Sequence, residues 1–144
     1  MQSTFRRVAN NLWVSDVESA VKHANEVAII VDCLGDTTYG GTKAKILHLK
    51  PSGRGSHSWT VADLDRLTSV VGKYWPAYRV MIHCRRGVSR SPVAAAALLL
   101  ATGAAVTPQQ ALRLTASSLG APSTQSVSGL LAWDEQRRQR QLAL

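Results

Sequence analysis

Apolar positions along the chain follow two alternating rhythms: short runs that suit strands, and longer stretches spaced for one face of a helix. Asn11-Leu12-Trp13-Val14 opens as a short strand, after which Val17, Ala20, Val21 and Ala24 share a helical face. Ser15, with Glu18 three residues on, predicts a capping box at the head of that helix. Val27-Ala28-Ile29-Ile30-Val31 is continuously apolar, as expected of a strand covered on both faces. A further strand is expected at Lys45-Ile46-Leu47-His48-Leu49. The Ser- and Gly-rich stretch from Lys50 to Trp59 then gives way to a helix boxed by Thr60 and Asp63 and running to about Tyr74.

Arg79-Val80-Met81-Ile82-His83 is again strand-like, and Ser91-Pro92 starts an Ala/Leu helix that Gly103 ends. Thr107-Pro108 with Gln110 caps the next helix, to about Ser118, and a last one spans roughly Thr124 to Gln139 with Val127, Leu130 and Leu131 facing inward. Strands alternating with helices predict an α/β fold: a central, mostly parallel sheet of four to five strands flanked by helices, with ligands beyond the carboxyl ends of the strands. There are no repeats or low-complexity tracts, so the 144 residues read as one domain.

Charge adds a preference for anions. Seventeen Lys and Arg against nine Asp and Glu leave a net +8, concentrated at Arg6-Arg7, Lys43, Lys45, Lys50, Arg54, Arg85-Arg86 and Arg137-Arg138-Arg140. Nucleic acid is an alternative partner but not the favoured one, because aromatic and basic residues do not interleave and no groove-reading module is recognisable. The terminal arginines suit a helix C-terminus. The longest apolar stretch, Val93 to Ala101, is too short for a membrane span, and Met1 to Arg7 lacks the apolar centre of a secretion signal, so a cytoplasmic location is expected. With only Cys33 and Cys84 present, and with His23, His48 and His57 scattered, neither a disulfide framework nor a metal site is expected, and no cofactor is called for.

Between the fourth expected strand and the Ala/Leu helix the chain reads His83-Cys84-Arg85-Arg86-Gly87-Val88-Ser89-Arg90-Ser91. Five residues between a cysteine and an arginine, with glycine among them, let successive backbone N–H groups converge on one oxyanion. The following helix brings its positive dipole end to the same place, and Arg90 adds a planar fork of donors suited to phosphate. Arg85, Arg86, Gly87, Val88, Ser89 and Arg90 are therefore the expected phosphate-binding set. Cys84 sits where these donors stabilise a thiolate, which lowers its pKa and makes it a nucleophile at neutral pH. His83 is read as orienting its neighbour by hydrogen bonding, since the loop donors can hold the thiolate without a base.

This run resembles the signature of the cysteine-based protein tyrosine phosphatases, and Gly87-Val88-Ser89-Arg90-Ser91-Pro92 looks most like the small dual-specificity branch. From about Asn11 to Glu135 the order of expected elements is similar to that branch. The resemblance implies that Cys84 is the nucleophile, Arg90 the phosphate-binding arginine and Ser91 the hydroxyl that eases departure of the thiolate from phosphocysteine. It implies a phosphorylated protein as substrate, phosphotyrosine first and phosphoserine or phosphothreonine second. Some branches, the tensin-homologue and kinase-associated ones, place a cysteine where Cys33 stands and pair it reversibly with the nucleophile. A buried core cysteine is the alternative reading of Cys33.

The general acid departs from the pattern. Relatives carry an aspartate between the third strand and the next helix, about thirty residues before the cysteine, whereas Lys50 to Ser58 contains no carboxylate. The substitutes are Asp36 after the second strand, His57 inside the loop, and Asp63 or Asp65 at the next helix. Asp36 also reads as a turn residue, and Asp63 as a helix N-terminal one. Without an acid, good leaving groups such as aryl phosphates or anhydrides are favoured over alkyl phosphates. Four rivals use the same cradle: an RNA 5′-triphosphatase, a phosphoinositide phosphatase, a phosphate-binding pseudophosphatase, and a thiolate enzyme for arsenate reduction or sulfur transfer.

Overall fold

Strand and helix boundaries follow the apolar rhythm to within a few residues. The computed structural model describes residues 3–55 and 58–143. In chain order the elements are β1 (Arg6–Ala9), β2 (Leu12–Ser15), α1 (Val17–Lys22), a 3₁₀ turn at Ala24–Glu26, β3 (Ile29–Asp32), β4 (Lys45–His48), α2 (Val61–Val71), β5 (Val80–His83), α3 (Arg90–Ala101), α4 (Pro108–Thr115) and α5 (Thr124–Leu142). The sheet order is β1-β2-β5-β3-β4. Only β1 runs antiparallel to its neighbour, and β2, β5, β3 and β4 are parallel, so the mixed, mostly parallel α/β architecture expected above is present.

Side-chain alternation in the three central strands divides the core. Leu12, Val14, Ile29, Val31, Val80 and Ile82 face the helical layer, which holds α2, α3 and α5. Ile30 and Met81 point the other way, into a smaller cluster with Ala20, Ala24 and Tyr39. At the centre, every residue of α3 from Ser91 to Leu100 is buried. The alanines at 94–97 suit that position, for a helix apolar all round must be packed on all sides.

Three local expectations are corrected and one strand is added. The cap of α1 is Asp16, whose carboxylate accepts from the Ser19 amide at 2.7 Å, while the Ser15 hydroxyl turns to the Asp16 carbonyl. A carboxylate one residue later reaches the same orphan amides and carries charge toward the dipole. Thr60 and Asp63 do form the expected capping box, but α2 stops at Val71, with Gly72 as its cap residue, before Tyr74. On α5 the Leu131 side chain is 42% exposed, and Trp133, which had not been assigned inward, is buried with Leu130. Leu131 lies about 100° around the helix from Leu130, off the stripe that Leu130 and Trp133 share at i and i+3. Finally, β1 was not foreseen, because its first half is Arg6-Arg7 and shows no apolar alternation.

No helix among the described residues is long and apolar enough to cross a membrane.

Candidate active site

The cradle forms at the carboxyl ends of the central strands because β5 stops at His83 and α3 begins at Arg90, leaving six residues to fold into a cup. Gly87 makes the cup feasible. Its φ is +72°, and a Cβ there would overlap the Thr4 hydroxyl and come within 2.8 Å of the Ser15 carbonyl carbon. Three consecutive peptide carbonyls are held from outside: Arg85 by the Val17 amide at 3.1 Å, Arg86 by the Thr4 hydroxyl at 2.5 Å, and Gly87 by the Arg6 guanidinium at 3.2 Å. In a trans peptide the C=O of one residue and the N–H of the next point in opposite directions. Outward carbonyls at 85, 86 and 87 therefore turn the amides of Arg86, Gly87 and Val88 into the cup.

Cys84 lies at the bottom, 2% exposed. Its Sγ receives the Gly87 amide at 3.3 Å and stands 3.2 Å from the Ser91 hydroxyl. Burial pushes the Cys84 thiol up, but hydrogen bonds from the Ser91 hydroxyl and from the amides of Ser91 and Gly87, together with the Arg90 charge, outweigh it. Its pKa falls below that of an ordinary thiol, toward the reactive thiolate. The Ser89 hydroxyl does not cap α3; it accepts from the Ser123 amide at 2.8 Å instead, which leaves the first α3 amides directed at the cradle. Arg90 is anchored through its backbone, whose carbonyl accepts from Trp59 Nε1 at 3.2 Å. Its Nε is buried and makes no hydrogen bond to a described protein group. Trp59 reaches this position because Gly129 of α5 lets it approach; a Cβ at 129 would lie 3.0 Å from the tryptophan Cβ. Val88 is buried, whereas Arg85 and Arg86 extend into solvent at the rim.

His83 is fully buried behind the cysteine, and a network that sequence reasoning missed sets its state. Burial lowers its pKa, against the pull of the Asp32 charge, and so favours the neutral ring. Nδ1 donates to the Cys84 carbonyl at 3.3 Å, while Nε2 accepts from the Tyr39 hydroxyl. Burial and the Asp32 charge push the tyrosine pKa up, so it remains a donor. Asp32 is buried and ionised: hydrogen bonds from Thr37 and His48 overcome the cost of desolvation. It accepts from the Thr37 amide at 2.9 Å and from His48 Nδ1 at 2.8 Å. His48, read above as isolated, is thus tied to the site's underside. An aspartate closing an apolar strand is the one signal in the sequence that pointed to this network.

No protein-family profile matches the chain, and no curated protein matches it in sequence. Solved structures do match. Human DUSP28 superposes with a TM-score of 0.79 at 17% identity, covering 96% of this chain and 97% of its own. PTPMT1 gives 0.79 at 16% identity, over 97% of this chain and 99% of its own. Tk-PTP in its active form gives 0.73 at 19% identity, over 95% and 99%. The fold is that of the small cysteine-based phosphatases.

Within this phosphatase fold the expected acids occupy different places. Asp63 serves the cap of α2: its carboxylate accepts from the Thr60 amide at 3.0 Å and from the Ser52 amide and hydroxyl, both at 2.8 Å. Those bonds overcome the upward push of its burial and hold Asp63 below the usual carboxylate range, ionised at neutral pH. Asp65 takes the Trp133 indole at 3.0 Å and the Arg140 guanidinium at 3.4 Å, fastening α2 to α5 away from the cradle. Asp36 is exposed in the loop after β3, at the sheet edge where the cradle opens. His57 lies outside the described residues.

Cys33 follows β3 as Cys84 follows β5. The strands are adjacent and parallel, Asp32 pairs with His83, and the Cys33 amide donates to the His83 carbonyl at 2.9 Å. Burial, with the Cys84 and Asp32 charges, pushes the Cys33 thiol well up, so of the two sulfurs Cys84 is the more readily ionised.

Proposed function

We propose that the protein is a phosphatase that hydrolyses phosphate monoesters, phosphotyrosine foremost, through a phosphocysteine intermediate on Cys84. The observation that carries this reading is the sulfur itself, set at the floor of a cup of inward amides beside the buried Nε of Arg90. A tetrahedral dianion at that place meets backbone donors, a helix N-terminus and a guanidinium fork. The Cys84 thiolate attacks phosphorus, the bond to the aryl oxygen breaks, and the cradle amides and Arg90 stabilise the charge spread over the three equatorial oxygens. Water then attacks phosphocysteine, releasing inorganic phosphate and restoring the thiolate, to which the Ser91 hydroxyl donates.

Of the four candidate acids, Asp63 and Asp65 are engaged elsewhere, which leaves Asp36 and His57 to protonate the leaving oxygen. A phenolate, with a pKa of about 10, leaves with less help than a serine alkoxide. The expected result is a kcat/KM on phosphotyrosine peptides at least about 10²-fold above that on phosphoserine peptides, the scale of a missing or weak general acid. Asp36→Asn and His57→Asn identify the donor by loss of the basic limb of the pH profile on the alkyl substrate. Equal rates on both peptides would overturn the substrate preference. A phosphoinositide is the second reading, supported by the exposed Arg85 and Arg86 at the rim and by the solved complex of PTPMT1 with PI(5)P.

We also propose reversible protection of the nucleophile. Neighbouring strands place Cα atoms about 4.8 Å apart, within the range a disulfide spans. Peroxide converts the Cys84 thiolate to sulfenic acid with loss of hydroxide, and the Cys33 thiol condenses with it to give the disulfide and water. Mild peroxide is expected to yield a Cys33–Cys84 cross-link by mass spectrometry, with activity recovered by dithiothreitol. In Cys33→Ser the same treatment gives irreversible sulfinic acid; overoxidised Cys84 beside a free Cys33 in the parent protein would reject the pairing.

A further inference from the structure

Arg6 was read above as part of the surface charge, yet its guanidinium reaches behind the cradle. One terminal nitrogen donates to the Thr4 carbonyl at 2.7 Å and the Gly87 carbonyl at 3.2 Å, and the other to the Thr115 carbonyl at 2.6 Å. Thr115 is the last residue of α4, whose terminal carbonyls lack helical partners and favour a cation. Thr4, itself buried, is held by Asp16, which accepts from the Thr4 amide at 2.9 Å, and its hydroxyl donates to the Arg86 carbonyl. The short segment before and into β1 therefore grips two consecutive cradle carbonyls from the side opposite the anion.

We propose that Arg6, with Thr4, is a positioning residue for oxyanion binding: it turns the Gly87 and Val88 amides into the cup and sets a second cation behind Cys84. This rests on the phosphatase reading of the cradle. The argument is geometric. Rotation of either peptide plane would swing a carbonyl, with its partial negative charge, toward the bound dianion and take an amide away; the bonds to Arg86 and Gly87 oppose that rotation. Three carbonyls in divergent directions require the planar fork, which a lysine ammonium does not supply. The charge matters as well, because a half-buried cation is poorly screened from the sulfur. Consistent with that proximity, burial lowers the Arg6 pKa while the Cys84 charge raises it.

The test uses the full chain in a Cys33→Ser background, with tungstate as the oxyanion and absorbance at 240 nm to titrate the thiolate. Arg6→Met is expected to weaken tungstate binding about tenfold, the scale of a lost charge-assisted hydrogen bond, and to move the thiolate titration to higher pH. Arg6→Lys restores the titration but leaves binding weakened, a split that a purely stabilising role would not produce. Thr4→Val, nearly isosteric, weakens binding severalfold and carries the test together with Arg6→Lys if Arg6→Met does not fold. Folded variants that bind tungstate within twofold of the parent and titrate as it does would overturn the inference and leave the phosphatase reading intact. A parent protein that neither binds tungstate nor shows a lowered thiol titration would defeat that reading first.

Discussion

Cys84→Ser is expected to abolish turnover of an aryl phosphate, lowering kcat by about 10⁴-fold or more, while the protein still binds tungstate. The sulfur is held by two contacts, the Gly87 amide at 3.3 Å and the Ser91 hydroxyl at 3.2 Å. A serine oxygen there stays protonated, because the bonds that bring a thiol below its ordinary pKa cannot bring an alcohol near neutrality. Binding survives because the amides and Arg90 are untouched. Alkylation of the parent by iodoacetamide checks the same point independently: Cys84 reacts along a curve displaced to lower pH than a free thiol, since its folded pKa lies below its unfolded one. A serine variant with more than a hundredth of the parent rate would end the phosphocysteine mechanism.

Arg90→Lys is expected to cost about 10³-fold in kcat/KM, despite keeping the charge. Arg90 begins α3, and its carbonyl is fixed by the Trp59 indole, so the backbone delivers the side chain along one path. A planar fork donates two parallel hydrogen bonds to phosphoryl oxygens and strengthens them as charge spreads in the transition state. An ammonium donates from one point and leaves an oxygen facing the cup unpaired. The loss should appear in kcat as well as KM. A variant that only raises KM would show that the guanidinium holds the ground state and the transition state equally.

How much of this was legible depends on whether the information is contiguous. The cup could be read from the nine consecutive residues His83 to Ser91, because its shape follows from local rules: a strand that ends, a glycine that tolerates positive φ, and a helix that begins. The unbroken apolar run of Val27-Ala28-Ile29-Ile30-Val31 gave away a strand covered on both faces for the same reason. Leu131 was misplaced because adjacent leucines on a helix are equally apolar, and only the position of α2 and α3 decides which is covered. Asp63 could be read as a cap or an acid until the loop carrying Ser52 was seen folded against its carboxylate.

By itself the chain determined the α/β layering, the loop that folds into a cup and the cysteine at its floor, all properties written in local periodicity and peptide geometry. Only the tertiary structure decided what stands behind that cup. Arg6, Thr4, Asp32, His48 and Tyr39 act across separations that sequence spacing does not encode, because hydrogen-bond directions and shared burial exist only once distant strands and loops are brought to one edge of the sheet.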